Sequence, residues 1–200
     1  MLEWITGFVE KTGYWGIALL MLLENVFPPI PSELIMPLAG FTAARGDLHV
    51  SIAILAGTAG SIAGNSLWYL LGHWIGLGRL KSLAARHGRW LTLTPEELDQ
   101  AQAFFSRHCG KAVFLGRLIP GVRTLISVPA GVVGMSWGRF LLYSTLGTVL
   151  WTALLAGAGY LLGAQYRTVA NWLGPITNGI VAIGVLWYLY RVVTFRSGSS

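Results

Sequence analysis

The sequence predicts an all-α integral membrane protein made of two inverted repeats, each a re-entrant helical hairpin followed by one transmembrane helix. Composition is the first observation: 54% of the 200 residues are apolar and 11% are charged, whereas soluble domains carry about 25% charged residues. The second observation is a pair of apolar regions that proline and charge interrupt. The third is an internal repeat. A chain of this length predicts a single membrane domain over residues 1–200.

Three uninterrupted apolar segments are long enough to cross a bilayer, which takes about 20 helical residues. They are residues 50–77, 140–162 and 172–193. The first two would each complete one repeat. The third would be an additional C-terminal transmembrane helix.

Two further apolar regions, 14–44 and 111–135, are each cut near the middle. The interruptions are Pro28, Pro29, Pro31, Pro120 and Gly121. Neither half of either region is long enough to span, so we predict re-entrant hairpins. Their broken backbone is tolerated only where protein or water surrounds it. A single kinked span in each region is the alternative.

An internal repeat supports the hairpins. Pro37 with Ala39-Gly40 in the first hairpin is matched by Pro129 with Ala130-Gly131 in the second. In the spans, Gly60, Gly72 and Gly76 match Gly147, Gly159 and Gly163 at a constant offset of 87 positions. We therefore assign residues 14–77 to repeat 1 and 111–163 to repeat 2. One crossing per repeat inverts the second copy, which is a transporter architecture.

The segment between the repeats, residues 78–111, is predicted to be a cytoplasmic amphipathic linker. Within it, Thr94-Pro95-Glu96-Glu97 combines a capping threonine with proline at the first helical position, which signals a helix start. We expect amphipathic helices lying in the membrane interface. Packing of these helices against the bundle is the alternative.

This topology divides the 14 basic residues unevenly. Nine fall on the side of the linker and the C-terminus, three fall on the other side, and two lie within the second hairpin. The positive-inside rule therefore places the N-terminus outside and the C-terminus in the cytoplasm. Basic loops of this kind explain the net charge of +6 without a nucleic-acid partner.

The two basic residues inside the second hairpin are candidates for substrate binding. Arg117 and Arg123 are six residues apart and would diverge on an unbroken helix at about 100° per residue. The break at Pro120-Gly121 lets them converge. Two guanidiniums aimed at one point suit phosphate or carboxylate. The alternative is that each arginine extends its charged end to the interface.

The first hairpin carries two carboxylates, Glu24 and Glu33, on either side of its proline-rich break. A buried carboxylate without a partner takes up a proton, whereas beside arginine it stays ionised. Such a group can alternate between the two forms as a substrate enters or leaves, so we predict that this pair couples transport to protons. A static Glu–Arg lock between the repeats is the alternative.

Nothing in the sequence indicates an enzyme. It contains no H-E-x-x-H, G-x-S-x-G or P-loop motif. Cys109 is the only cysteine, which excludes an internal disulfide and a cysteine-based metal cluster. We predict no catalytic residue, no metal site and no cofactor.

The chain resembles the bacterial DedA family, part of the wider VTT or SNARE-associated membrane proteins, over roughly residues 14–193. The resemblance rests on Glu24 with Pro31-Ser32-Glu33, and on Phe114-x-x-Arg117-x-x-Pro120-Gly121-x-Arg123 followed by Pro129-Ala130-Gly131. It implies lipid translocation. Bacterial members are linked to returning undecaprenyl phosphate across the inner membrane and to proton motive force. Glu24 and Glu33 would be the essential acidic pair, and Arg117 and Arg123 the essential basic pair.

The leading hypothesis is thus a flippase for an anionic lipid carrier in the bacterial inner membrane. Its expected partners are a polyprenyl phosphate lipid and protons, with no nucleic acid; homo-oligomerisation stays open. The rivals are a proton-coupled antiporter for a small ion or drug and a non-transporting membrane scaffold. A head-group phosphatase is a more distant alternative.

Overall fold

The structure, a computed structural model, describes residues 2–27, 32–91, 95–120 and 122–162, together with Leu186 and Tyr190. The first four ranges form seven helices and contain no strand. The helices are α1 (Leu2–Val26), α2 (Ser32–Ala44), α3 (Val50–Leu91), α4 (Pro95–Arg117), α5 (Val122–Leu125), α6 (Ser127–Val132) and α7 (Trp137–Leu162). The predicted all-α class is confirmed for this part of the chain.

Some predicted features fall outside these ranges. Apart from Leu186 and Tyr190, the C-terminal helix expected over 172–193 lies outside the described residues. The same is true of Pro28, Pro29, Pro31 and Gly121 at the hairpin breaks.

Two helices are long and apolar enough to cross a membrane. They occupy Val50–Ser82 within α3 and all of α7, in agreement with the predicted spans 50–77 and 140–162. Only 39% and 33% of their apolar windows are buried, so both present a wide apolar face outward. The exposed side chains include Leu55, Leu67, Leu146, Leu154 and Leu161. This arrangement suits helices in contact with lipid rather than core helices of a soluble protein.

The first helix begins earlier than the sequence pattern indicates. The first hairpin was expected from residue 14, but α1 starts at Leu2 and changes direction at Gly13, where φ is +59°. Ile5 and Val9, one turn apart, are buried in the same apolar cluster as Ile17. The left-handed backbone at Gly13 is readily accessible to glycine, so it bends α1 between two helical segments.

Helices α3 and α4 both extend into the predicted linker, residues 78–111. Helix α3 continues past residue 77 to Leu91, with a positive φ of 65° at Gly76. Helix α4 begins at Pro95, where the proline predicts a helix start, and runs into the expected second hairpin with a deviation at His108. An ion pair between Lys81 and Asp99 joins α3 to α4.

Each short hairpin helix packs on the long helix that is distant in sequence: α2 on α7, and α6 on α3. Glycine permits the approach. A Cβ on Gly40 would lie 1.9 Å from the Ala156 carbonyl oxygen, and one on Gly131 would lie 2.1 Å from that of Tyr69. A second pair joins Gly159 to the Pro37 oxygen at 1.9 Å and Gly72 to the Val128 oxygen at 2.3 Å.

These close contacts come in equivalent pairs. The hairpin residues of the two pairs are offset by 91 positions (40 to 131, 37 to 128), and the long-helix residues by 87 (69 to 156, 72 to 159). The two halves of the chain therefore make matching contacts with each other.

A buried polar layer lies between two apolar clusters. One cluster surrounds α1 and α2, and the other surrounds α4, α6 and the start of α7. Asn65, near the middle of the apolar part of α3, and Thr148, near the middle of α7, belong to the polar layer. Thr58 and Thr152 hydrogen-bond across α3 and α7 at 3.1 Å. The candidate site lies in this layer.

Candidate functional site

A buried ion pair joins the two hairpin regions. The Arg123 guanidinium donates a hydrogen bond to the Glu24 carboxylate, and the two residues are 8% and 4% exposed. Glu24 lies in the last turn of α1, whereas Arg123 lies in the single turn of α5. Arg123 also lies over the Trp151 ring, 5.9 Å from its centroid. The pair thus links the end of α1, in the first predicted hairpin region, to α5, in the second.

Asn25 ties this pair to α3. The two N–H groups of its side-chain amide face three acceptors within hydrogen-bonding distance: the Glu24 carboxylate at 2.9 Å, the Met21 carbonyl at 2.7 Å and the Ser61 hydroxyl at 3.3 Å. The Trp68 indole donates to the Asn25 carbonyl at 2.8 Å. The side-chain amide and the backbone carbonyl of Asn25 are therefore both held in place, and the amide holds the Glu24 carboxylate toward Arg123.

Arg117 has a different set of partners. It is 2% exposed, and its guanidinium donates to the Arg123 carbonyl, to the Ser127 hydroxyl at 2.9 Å and to the Ser144 hydroxyl at 3.0 Å. Its charged end also lies 5.7 Å from the centroid of the Phe140 ring. Charge-assisted hydrogen bonds of this kind are stronger than neutral ones, so Arg117 fixes the short helices around Arg123.

A small cavity of about 10 Å³ lies beside Arg117 and Arg123. It is lined by Asn25, Ser61, Asn65, Arg117, Arg123, Thr148 and Trp151. Three buried polar atoms on its lining residues have no hydrogen-bond partner among the described residues: Asn65 Oδ1, Arg117 Nε and Trp151 Nε1. Buried polar atoms are usually hydrogen-bonded, so two donors and one acceptor remain available here.

The structure brings three of the four predicted charged residues together. Arg117 and Arg123 line one cavity, and Glu24 pairs with Arg123. Glu33 is half-buried in the first turn of α2 and does not line this cavity. A carboxylate at that position is favoured by the helix dipole.

Sequence reasoning did not identify several neutral members of the site. They are Asn25, Asn65, Ser127, Ser144 and Trp151. One signal was present: Ser144, Thr148 and Thr152 follow one another at four-residue spacing along an apolar helix, which places them on one face. A polar stripe inside a membrane span indicates a buried polar neighbour.

Among the described residues, no group of three histidine, cysteine, aspartate or glutamate side chains could hold a metal ion. The only cysteine, Cys109, lies in α4 before the predicted hairpin. Burial raises the pKa of its thiol, and the positive charge of Arg139 partly opposes that rise. Neither feature involves the Arg117–Arg123 cavity.

Comparison with known proteins identifies the family. A family model for the VTT domain matches residues 30–161. This chain belongs to the VTT domain family. The matched part of the VTT domain includes Glu33, Arg117 and Arg123, whereas Glu24 precedes it.

Full-length relatives agree with this assignment. The chain is 38% identical to the "Alkaline phosphatase-like protein" of Lactococcus lactis subsp. cremoris, with 94% of this chain and 89% of the relative covered. It is 33% identical to "Undecaprenyl phosphate transporter A" of Staphylococcus aureus, over 94% and 90%. It is 28% identical to "Protein DedA" of Escherichia coli, over 98% and 90%. No solved structure matches the chain.

The resemblance to the DedA family is thereby confirmed. With its two long apolar helices, this member of the VTT domain family is a membrane protein.

Proposed function

We propose that this chain transports an anionic lipid carrier, undecaprenyl phosphate or a related polyprenyl phosphate or phospholipid, across the bacterial inner membrane. The proposal rests foremost on the buried Arg123–Glu24 pair, which holds a phosphate-binding group against an exchangeable anion. The names of the staphylococcal and Bacillus subtilis relatives, both "Undecaprenyl phosphate transporter A", support the choice of lipid.

The mechanism we infer is a competition for Arg123. In the present arrangement the Glu24 carboxylate occupies its guanidinium. Protonation of Glu24 would remove the negative charge, weaken the pair and free Arg123 for a phosphate, while Arg117 contributes its unpartnered Nε. Release would follow when Glu24 loses its proton and competes again. Glu33, at the start of α2, is proposed as the second coupling carboxylate.

The cavity size indicates that this is a closed arrangement. A cavity of about 10 Å³ is near the lower limit for one water molecule, so a phosphate group requires the site to open. Because Arg123 and Glu24 belong to different hairpin regions, separating those regions would break the pair and enlarge the cavity together. Substrate binding and opening would therefore be one event.

Inverted repeats would allow such opening toward either side of the membrane. We propose repeats at 14–77 and 111–163, with re-entrant hairpins at 14–44 and 111–135. The equivalent glycine contacts of α2 on α7 and of α6 on α3 support this pseudo-symmetry. The N-terminus would lie outside and the C-terminus in the cytoplasm, because the basic residues concentrate on the side of residues 78–111.

The decisive experiment is translocation of undecaprenyl phosphate in proteoliposomes, with and without a pH gradient. Wild type is compared with Arg123→Ala and with Arg79→Ala, a matched control. Arg79 is exposed on α3, and the hydrogen bond and the cation–π contact that it makes among the described residues are both with Trp74. Each protein is first shown to fold by its elution and thermal unfolding in detergent. We expect translocation by wild type and Arg79→Ala, and its loss in folded Arg123→Ala.

Other results would favour the rivals. Cation flux that survives Arg123→Ala would indicate a proton-coupled antiporter using the same carboxylates. Absence of all flux, with misfolding of every charge-neutralised variant, would indicate a scaffold. The lactococcal relative's name suggests a phosphatase, whose signature would be inorganic phosphate released from the lipid.

A further inference from the structure

A second and larger cavity lies at the base of the second hairpin. It has a volume of about 850 Å³ and is formed by the segment 105–111 of α4, the turn before α7 and the first turns of α7. Its lining includes Phe105, His108, Lys111, Ser136, Arg139 and Tyr143. We call it the basic cavity. It shares no lining residue with the small cavity at Arg117 and Arg123.

The charge of the basic cavity is one-sided. Lys111 and Arg139 are exposed, and neither forms an ion pair within the part of the chain that the structure describes. No carboxylate is among the described lining residues. Two cations that face one open space, with no ion-pair partner among the described residues, create a positive potential that favours an anion.

The start of α7 adds to this potential. Arg139 stands in the first turn of a 26-residue helix that has no acidic residue there. The N-terminal end of a helix already carries partial positive charge and free backbone N–H groups. The positive charge of Arg139 adds to that of the helix end, and Ser136 adds a hydroxyl at the same edge.

The surroundings favour a ligand with both a charged and an apolar part. Phe105, Met135 and Tyr143 line the cavity beside the basic groups. The cavity lies at one end of the apolar helix α7, on the side where the proposed topology collects most basic residues. Along α4, Arg117 lies six residues after Lys111, the last cavity-lining residue of that helix. This spacing corresponds to about 9 Å at 1.5 Å per residue.

We propose that the basic cavity binds the phosphate group of an anionic lipid at the cytoplasmic face, through Lys111 and Arg139 with Ser136 and the first turn of α7. The choice of a phosphate-bearing lipid rests on the proposed function, but binding here does not require transport. The cavity would hold the head group on the cytoplasmic side of Arg117 and Arg123.

Cys109 provides a reporter that belongs to this cavity alone. It lines the cavity, is the only cysteine in the chain, and needs no engineering. The first measurement compares its labelling by sulfonate-bearing and ammonium-bearing methanethiosulfonates, each corrected for its rate with a small free thiol. We expect the anionic reagent to react about fivefold faster, and Arg139→Gln to abolish most of that preference. Arg79→Gln, which removes a charge outside the cavity, should leave it unchanged.

The second measurement uses ligand protection of Cys109 in the detergent-solubilised full chain. Short-chain phosphatidic acid, inorganic phosphate and short-chain phosphatidylcholine are compared. Protection by phosphatidic acid alone would support a lipid head-group site, and equal protection by inorganic phosphate would support a phosphate site that does not need the lipid tail. We expect Arg139→Gln and Lys111→Gln to weaken protection about fivefold, and Arg79→Gln to have no effect.

Two outcomes overturn the proposal: no protection by phosphatidic acid or inorganic phosphate, or equal protection by the zwitterionic phosphatidylcholine. The proposed function is tested separately. If lipid translocation is intact while Cys109 is never protected, the transport function is supported and the proposed binding site in the basic cavity is rejected. If Cys109 is protected but no lipid is translocated, the binding site stands without the transporter.

Discussion

The Arg117 guanidinium donates a hydrogen bond to the backbone carbonyl of Arg123, so the two arginines of the second hairpin have different roles. Arg117 holds the chain at the position from which the Arg123 side chain reaches Glu24. Its remaining bonds, to Ser127 and Ser144, fix α6 and α7 to the same point. Arg123 therefore forms the ion pair with Glu24, and Arg117 keeps the Arg123 backbone in place.

The first prediction concerns this role of Arg117. Arg117→Lys keeps the positive charge but cannot reproduce the planar set of donors to Arg123, Ser127 and Ser144. Hydrogen bonds between membrane helices average about 0.6 kcal/mol, so losing three should lower the unfolding free energy by about 2 kcal/mol. Denaturant titration in mixed micelles measures it. Ser127→Ala, which removes one acceptor, should cost about a third as much.

The second prediction concerns the coupling between Glu24 and Arg123. Because each neutralisation leaves the other charge buried and unpaired, Glu24→Gln and Arg123→Gln should each destabilise the fold by about 3–5 kcal/mol at most. The double variant, which leaves no charge in the pair, should be less destabilised than the sum of the two. A double-mutant cycle in the same micelles gives the coupling energy.

A reversed pair separates a transport role from a structural lock. Glu24→Arg combined with Arg123→Glu restores an ion pair but moves the cation to α1. We expect this variant to recover part of the stability lost in the single variants and none of the translocation. Recovery of both would contradict the assignment of Arg123 as the phosphate ligand.

Three of the charged residues that the sequence analysis selected, Glu24, Arg117 and Arg123, lie together in the structure. Two arginines six residues apart with a proline-glycine break between them could converge, and a carboxylate in the other hairpin was an expected partner. The unequal roles of the arginines could not be predicted. Arg117 bonds to a backbone carbonyl, which every residue has, and to two serines 10 and 27 positions away. The position of Glu33 relative to Glu24 depends on the path of the chain through the proline-rich break between them. The sequence pattern does not define that path.

Two helix boundaries in the structure differ from those that the apolar pattern indicates. Hydropathy falls at Arg79 and Lys81, so the apolar pattern ended the span at residue 77, yet helix α3 continues to Leu91. Basic residues are good helix formers, and a helix that leaves the bilayer has no need to stop. The helical segment before Gly13 was not predicted. Ile5 and Val9 mark its buried face, and an apolar pattern of two residues one turn apart is too short to indicate a helix.

The third prediction concerns the matching glycines of the two proposed repeats. Gly40→Ala and Gly131→Ala would each place a methyl group about 2 Å from a backbone carbonyl oxygen of the facing long helix. The helices must then separate, so we expect each variant to lose at least 1–3 kcal/mol of stability. Gly157→Ala is the control, because nothing lies within 4 Å of its added carbon. Similar losses at positions 40 and 131 would agree with equivalent roles, whereas a loss at only one would count against them.

The last prediction concerns the pH dependence of Cys109 labelling. The reactive species is the thiolate, and burial raises the pKa of this thiol. A raised pKa means that the folded chain keeps the proton to higher pH, so the labelling rate should reach half its maximum above the value of about 8.5 for an ordinary thiol. Arg139 opposes the rise, so Arg139→Gln should move the midpoint further up. Arg79→Gln should leave the midpoint unchanged.

Labelling rates are measured with a neutral maleimide between pH 7 and 10 and corrected for the rate with a small thiol. They give the midpoints of wild type and of each variant. A downward shift in Arg139→Gln would contradict the position assigned to the charge of Arg139.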